Sequence, residues 1–120
     1  MTRTVRQQWL HGLLDACLLS LLDESRDYGR GLVERLVRAG FDEVPGGTLY
    51  PALLRLETQG LVRTEKEPST TGPPRKYYEL TDDGRAAVRE RRVAWRQFRT
   101  AVDAVVEPSE AAAARDGATP

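Results

Sequence analysis

Three cations flank a turn with little freedom to bend. Lys66 precedes it, and Arg75 and Lys76 follow Gly72-Pro73-Pro74. Ammonium and guanidinium groups presented this way suit the phosphate oxygens of a nucleic-acid backbone, and an arginine gains most where a minor groove is narrow. The plainer reading of Lys66 is a solvated charge beside Glu65 and Glu67. Upstream, Gly46-Gly47 opens an amphipathic segment that begins Thr48-Leu49-Tyr50-Pro51 and continues to Arg55. Hydroxyl groups at the start of such a helix can hydrogen-bond a base edge or a phosphate, and Arg55 can reach the backbone. Thr48 and Tyr50 also have structural readings, as a helix cap and as a core aromatic with a satisfied hydroxyl. Catalytic chemistry has no comparable cluster. The chain has one His and one Cys, with no metal-ligand spacing and no cofactor motif. His11 reads as a surface residue, and an enzyme is not expected.

The charge balance sharpens the contrast. Formal net charge is +0, so any affinity for nucleic acid must come from local clustering of cations. The fourth predicted helix is basic, through Arg85, Arg89, Arg91, Arg92, Arg96 and Arg99, and a solvated face explains it better than a second nucleic-acid surface. Cys17 is the sole cysteine, which excludes an intramolecular disulfide, fits a reducing cytoplasm and reads as a small buried hydrophobe. Arg3 and Arg6 precede an apolar segment, but His11 and Asp15 interrupt it and no small-x-small cleavage site follows. That segment is expected to be a core helix and neither a signal peptide nor a membrane span.

These side chains need elements to position them. Leu10, Leu13, Leu14, Cys17, Leu18, Leu21 and Leu22 recur at helical spacing and predict one helix from Val5 to Leu22. Trp9, Ala16 and Leu19 widen its apolar face almost all the way round, so a partner subunit is expected to cover part of it, with Leu10 and Leu14 at that interface. Asp23 to Asp27 reads as a polar turn and Tyr28 to Ala39 as a second helix with Leu32, Val33, Leu36 and Val37 inward. Gly40 suits its C-terminus, and 41–46 is a connector. The third helix is expected from Thr48 to Gln59, capped by Thr48, with Pro51 harmless near the first turn. Leu61 to Glu67 and Arg75 to Thr81 read as two strands joined by the turn at 68–74. Thr81 or Asp82 caps a fourth helix to Val106, on which Val88, Trp95 and Val102 fall at heptad spacing and Phe98 and Val105 fill the complementary positions. Arg91 breaks that stripe, so the dimerisation seam is short. Residues 107–120 carry no apolar period and read as a disordered tail. The fold class is therefore mainly α with a two-stranded wing: a winged helix-turn-helix over 1–81, then a dimerisation helix over 82–106.

Taken together, Tyr28-Gly29, Gly47-Thr48-Leu49-Tyr50-Pro51, Arg55-Leu56-Glu57, Gly60-Leu61 and Gly72-Pro73-Pro74-Arg75-Lys76-Tyr77-Tyr78-Glu79-Leu80-Thr81-Asp82-Asp83-Gly84 resemble the PadR family of bacterial transcriptional regulators, in order and at matching separations. The likeness covers about residues 8–105. The second proline, Pro74, departs from the pattern and stiffens the wing turn. The single fourth helix is similar to the short-tailed subfamily, whose members dimerise through the first and fourth helices. That resemblance implies a Trp95 that faces its symmetry mate across a flat apolar pore and stacks on a planar aromatic ligand. Trp9, Gly12, Leu13, Ala16 and Ser20 fall at positions that would line the pore. Both tryptophans have a plainer reading as filling of the dimer core.

Two functions remain open on these grounds. One is a homodimeric repressor that binds a pseudo-palindromic operator in double-stranded DNA, released by a planar aromatic ligand at the dimer interface. The other is a winged-helix module that binds protein and no DNA, which the neutral net charge permits.

Overall fold

The computed structural model describes residues 4–108, so most of the segment expected to be disordered, 107–120, lies outside them. The elements in order are α1 (Val5–His11), α2 (Leu14–Glu24), β1 (Asp27–Tyr28), α3 (Gly29–Ala39), α4 (Gly46–Thr58), β2 (Val62–Glu67), β3 (Arg75–Leu80) and α5 (Asp82–Val106). The chain divides into two compact units between Arg89 and Glu90, inside α5.

The first unit packs α2, α3, α4 and the start of α5 against one small sheet. Leu14, Leu18, Leu19, Leu32, Leu36, Leu49, Leu53, Leu56 and Val88 are fully buried, and Val62, Tyr78 and Leu80 bring the sheet into the same core. Truncating any of these leucines to alanine costs about 2–5 kcal/mol by loss of buried surface and cavity formation. Val88 and Leu14, expected at a dimer seam from the heptad and periodicity reading, lie inside this core. Each is 1% exposed and fills this unit's own core. Leu10 is half-buried and leans on that core.

The single helix expected from Val5 to Leu22 is two helices. A capping box starts α1, with Thr4 Oγ1 accepting from Gln7 N at 3.1 Å and Gln7 Oε1 accepting from Thr4 N at 2.8 Å. It ends at Gly12, where Leu13 N donates to Leu10 O at 2.8 Å. Glycine weakens a helix interior by about 1 kcal/mol relative to alanine. None of the seven residues of α1 is fully buried, and only Leu10 packs against the core, so little packing holds it in register with α2. The break also interrupts the stripe of Trp9, Leu13, Ala16 and Ser20 that a continuous helix would have aligned.

The polar turn after α2 contains a strand. Asp27 and Tyr28 pair antiparallel with Tyr78 and Tyr77, so the sheet has three strands in the order β1-β3-β2 rather than two. Arg35, with its side chain 14% exposed, holds this corner. It donates to Leu21 O at 2.8 Å, to Glu24 Oε2 at 3.1 Å and to Asp27 Oδ2 at 3.5 Å. The guanidinium thus adds a second donor to Leu21 O, which also accepts from Ser25 N at 3.3 Å at the end of α2. Gly40 ends α3 in the left-handed conformation, φ 115°, as expected. Val37, expected to face inward, is 46% exposed on the outer flank of α3.

At the other end of the sheet, Thr81 ties three elements together. Its N–H donates to Leu61 O at 3.1 Å, its hydroxyl donates to Gly60 O at 2.7 Å and accepts from Gly84 N at 3.0 Å. It therefore caps α5 while fixing that helix to the loop before β2. The second unit, from Glu90 onward, contains the rest of α5. Trp95, Phe98, Val102 and Val105 are exposed there, and the Trp95 and Phe98 rings lie 6.4 Å apart in a tilted arrangement.

Candidate nucleic-acid interface

The third predicted helix, α4, starts two residues earlier than its sequence suggests and is capped differently. Pro45 is the N-cap, with Thr48 N and Leu49 N both donating to Pro45 O at 2.9 Å. Thr48 is therefore inside the first turn and makes no cap bond. Pro51 lies deeper than expected, past the first turn, so it withholds one internal hydrogen bond instead of replacing a free N–H. With Gly46 and Gly47 also helical, the N-terminal half of α4 is intrinsically weak and depends on Leu49, Ala52, Leu53 and Leu56, all buried, to hold it.

Those four residues define the inner face, and the rotation of about 100° per residue then defines the outer one. Gly47, Pro51, Leu54 and Thr58 run along its centre, and all are exposed. Tyr50 lies on one flank. Its ring rests on Gly29 at the start of α3, where a Cβ would fall 2.6 Å from the Tyr50 hydroxyl oxygen. Only glycine leaves room for that ring. Tyr50 is still 52% exposed, so it is not the core aromatic of the structural reading. Tyr78, buried below, is pushed up from the ordinary phenol range by burial first, then by the nearby Tyr50 and Glu57.

Thr48 and Arg55 occupy the opposite flank. Arg55 donates to Asp15 Oδ1 of α2 at 3.0 Å. Its guanidinium, 51% exposed, is thus paired within the chain. Thr48 lines a cleft of about 390 Å³ between α1, the connector and α4, together with Arg6, Leu10, Phe41, Val44 and Pro45. The structure thus separates Thr48 and Arg55 from Tyr50 and Pro51. Leu54 and Thr58 are central instead. Leu54 drew no role from the sequence, because an apolar side chain carries no polar group to suggest one, although its angular position was readable.

The wing is the pair β2 and β3, in which Thr64 faces Tyr78, Lys66 faces Lys76 and Glu67 faces Arg75. Alternation separates its two surfaces. On one, Val62 and Leu80 enter the core, Thr64 Oγ1 donates to Glu57 Oε2 of α4 at 3.2 Å, and Lys66 and Lys76 continue outward. The lysines thus extend the surface that faces α4. On the other, Arg26 pairs with Glu67 and lies 4.6 Å from the Tyr77 ring centroid, while Arg75 lies 4.6 Å from that of Tyr28. The Tyr28 and Tyr77 rings meet edge-on at 5.5 Å.

Ion pairing explains how a neutral chain can be locally cationic. Arg26 pairs with Glu65 and Glu67, Arg30 with Glu34 and Glu43, Arg35 with Glu24 and Asp27, and Arg63 with Glu79. The hydrogen bond that Arg26 donates to Glu67 raises its guanidinium above the ordinary range, and the one Arg30 donates to Glu43 does the same for Arg30. Among the described residues, Lys66, Arg75 and Lys76 have no carboxylate within ion-pair distance; Arg75 and Lys76 lie over tyrosine rings instead. Lys66 and Lys76 are also the only two lysines in the chain, placed directly across from each other. Like charges in register destabilise a strand pair.

The remaining sites lie elsewhere. Trp9 on α1 is 69% exposed. Gly12 and Leu13 form the break, and Ala16 and Ser20 are half-buried on α2. Cys17 is half-buried, and burial pushes its thiol up from the ordinary range, in keeping with an inert packing role. Among the described residues, no group of three or more His, Cys, Asp or Glu side chains could hold a metal ion.

Residues 18–90 match the transcriptional regulator PadR-like family. The chain belongs to that family. Its match runs from α2 through the wing into α5, the span that positions every element of this interface. Transcriptional regulator Rv3488 of Mycobacterium tuberculosis is 40% identical over 80 residues, covering 64% of this chain and 73% of that one. A PadR-like transcriptional regulator from Bacillus cereus is 33% identical, with a TM-score of 0.73 over 85% of this chain and 99% of its own. A PadR-like transcription factor from Bacteroides fragilis is 36% identical, with a TM-score of 0.70 over 84% and 97%. These PadR-like relatives are regulators of transcription and not enzymes, and the mainly helical fold with its small antiparallel sheet is the one they share.

Proposed function

We propose that this PadR-like protein is a homodimeric repressor that holds a pseudo-palindromic operator through α4 and the wing of each protomer. The observation that carries the reading is the Lys66–Lys76 pair. Two ammonium groups set opposite each other, away from any carboxylate, work against the strand pairing that holds them, and a phosphate between them reverses the sign of that interaction. Arg75 and Lys76 then grip the backbone or a minor groove beside the half-site. The exposed outer face of α4 enters the major groove, with Tyr50 and Pro51 at its leading end. Half-sites one helical turn apart, roughly 34 Å, match such a dimer.

Dimerisation is supported by α5, where Trp95, Phe98, Val102 and Val105 leave an apolar stripe in water. An aromatic effector sandwiched at Trp95 is the accompanying reading, supported by the exposure of that indole and by the Phe98 ring beside it. It would shift the protein between DNA-bound and free forms only by its difference in affinity for the two. The proposed site of action is the cytoplasm; among the described residues no helix is long and apolar enough to cross a membrane.

The deciding experiment is fluorescence anisotropy on a duplex selected from a random pool, repeated across salt concentrations. Affinity is expected to fall steeply with salt, with a log–log slope of about 0.9 per phosphate contact. The Lys66→Ala/Lys76→Ala variant is expected to show a shallower slope. A flat salt response, or an unchanged slope in the variant, rejects DNA binding by this surface and favours a protein partner. Indole quenching by planar aromatic compounds tests the effector: quenching unchanged in Trp95→Phe rejects the Trp95 sandwich, and Trp9→Phe serves as the control.

A further inference from the structure

The centre line of the outer face of α4 is Gly47, Pro51, Leu54 and Thr58, with Tyr50 beside it. It contains no arginine, lysine, asparagine or glutamine. Those four are the residues that identify guanine or adenine in the major groove by paired hydrogen bonds. The one arginine near this face, Arg55, lies on the flank and is committed to Asp15 at 3.0 Å. What the face does present is carbon. Leu54 is 60% exposed, Pro51 is exposed next to it, and Tyr50 offers one side of its ring at 52% exposure. Gly46 and Gly47 carry no side chain, so the start of the helix can approach a groove floor closely. The edges of the four base pairs offer only one apolar group in the major groove, the C5-methyl of thymine.

We propose that Leu54, with Pro51 and Tyr50 beside it, selects thymine in the operator by contact with the C5-methyl group and not by hydrogen bonding. The wing supplies charge without sequence information, and Leu54 is the specificity-determining residue on α4. This rests on the DNA-binding reading above and adds to it the base that is recognised and the chemical group that is read.

The test replaces thymine by deoxyuridine, one position at a time, in a duplex selected with the full chain from a random pool at low salt. Deoxyuridine keeps the pairing and the O4 acceptor and removes only the methyl. For the wild type, at least one position in each half-site is expected to lose about fourfold in affinity, the value of one buried methyl-sized group. In Leu54→Ala and Leu54→Gln that loss is expected to disappear, while the salt slope set by the wing stays the same. Leu54 is exposed, so both variants are expected to keep the wild-type melting temperature. A duplex that binds and tolerates deoxyuridine everywhere overturns the methyl-reading proposal and leaves DNA binding intact. So does a deoxyuridine penalty of the same size in both variants. No binding to any duplex at low salt overturns the underlying DNA reading, and this proposal with it.

Discussion

The wing and α4 meet solvent in opposite ways. At its tip the wing is long-chained and cationic: Lys66, Arg75 and Lys76 lie away from carboxylates, and the lysines face each other across the strands. The outer face of α4 is short-chained and nearly uncharged, with glycine, proline, leucine and threonine along its centre. Phosphate contacts fix a protein on a duplex without reading it, and base edges are read by groups that fit them. On the proposed reading, the two regions divide the task. Charge placed on α4 would hold any sequence, and apolar groups placed on the wing would hold none.

Breaking the division at the wing has the largest expected effect. Lys66→Ala/Lys76→Ala should reduce affinity at least tenfold at moderate salt, since each protomer loses contacts that release counterions. The same variant should melt slightly higher than wild type, because removing a like-charged cross-strand pair is worth about 0.2–1 kcal/mol. Calorimetry and anisotropy on one sample check both signs, and a variant that loses stability together with affinity argues for a structural role of the lysines. Gly29→Ala disturbs the other region. Its new methyl collides with the Tyr50 ring, at an expected cost of about 1–3 kcal/mol from overpacking. Tyr50→Ala in the same chain should restore stability in chemical denaturation and leave DNA affinity reduced. Arg55→Ala should change little: an exposed ion pair contributes about 0–1 kcal/mol, and Arg55 lies on the flank of α4, paired with Asp15. A large loss of affinity in Arg55→Ala would show that the Asp15 pair opens on binding.

The smallest effect lies away from both regions. Burial raises the Cys17 thiol, so the folded protein favours the protonated form. Stability should be constant below the ordinary thiol range and should fall as pH rises through it. Melting temperatures on either side of that range, with Cys17→Ala as reference, check the sign.

The helices of the first unit and the paired strands of the wing were legible because each has its own period. Leu49, Leu53 and Leu56 repeat at three and four residues, and the Gly-Pro turn separates two pleated runs. The break after His11 was not legible. Leu10, Leu13, Leu14 and Leu18 keep helical spacing straight through Gly12, and only the lack of buried side chains in α1 removes the reason for one axis. Strand β1 was hidden for a related reason: two residues have no period, and the contacts that accompany their pairing, Arg35 on Asp27 and the Tyr77 ring on Tyr28, come from distant positions in the chain. Val88 shows the limit of heptad reading. It shares its spacing with Trp95 and Val102, yet it fills the core of the first unit. At the interface, the residue types were legible and their availability was not. Periodicity could not reveal that Asp15 holds Arg55, that Thr48 lines a cleft, or that Gly29 exists to seat Tyr50.

The internal pairing of Arg26, Arg30, Arg35, Arg55 and Arg63 has a consequence for traffic on the chromosome. These five guanidinium groups are answered by the chain's own carboxylates and offer less to random stretches of duplex, which attract by phosphate alone. On the proposed DNA-binding reading, random duplex then competes with the operator less than the arginine count alone suggests.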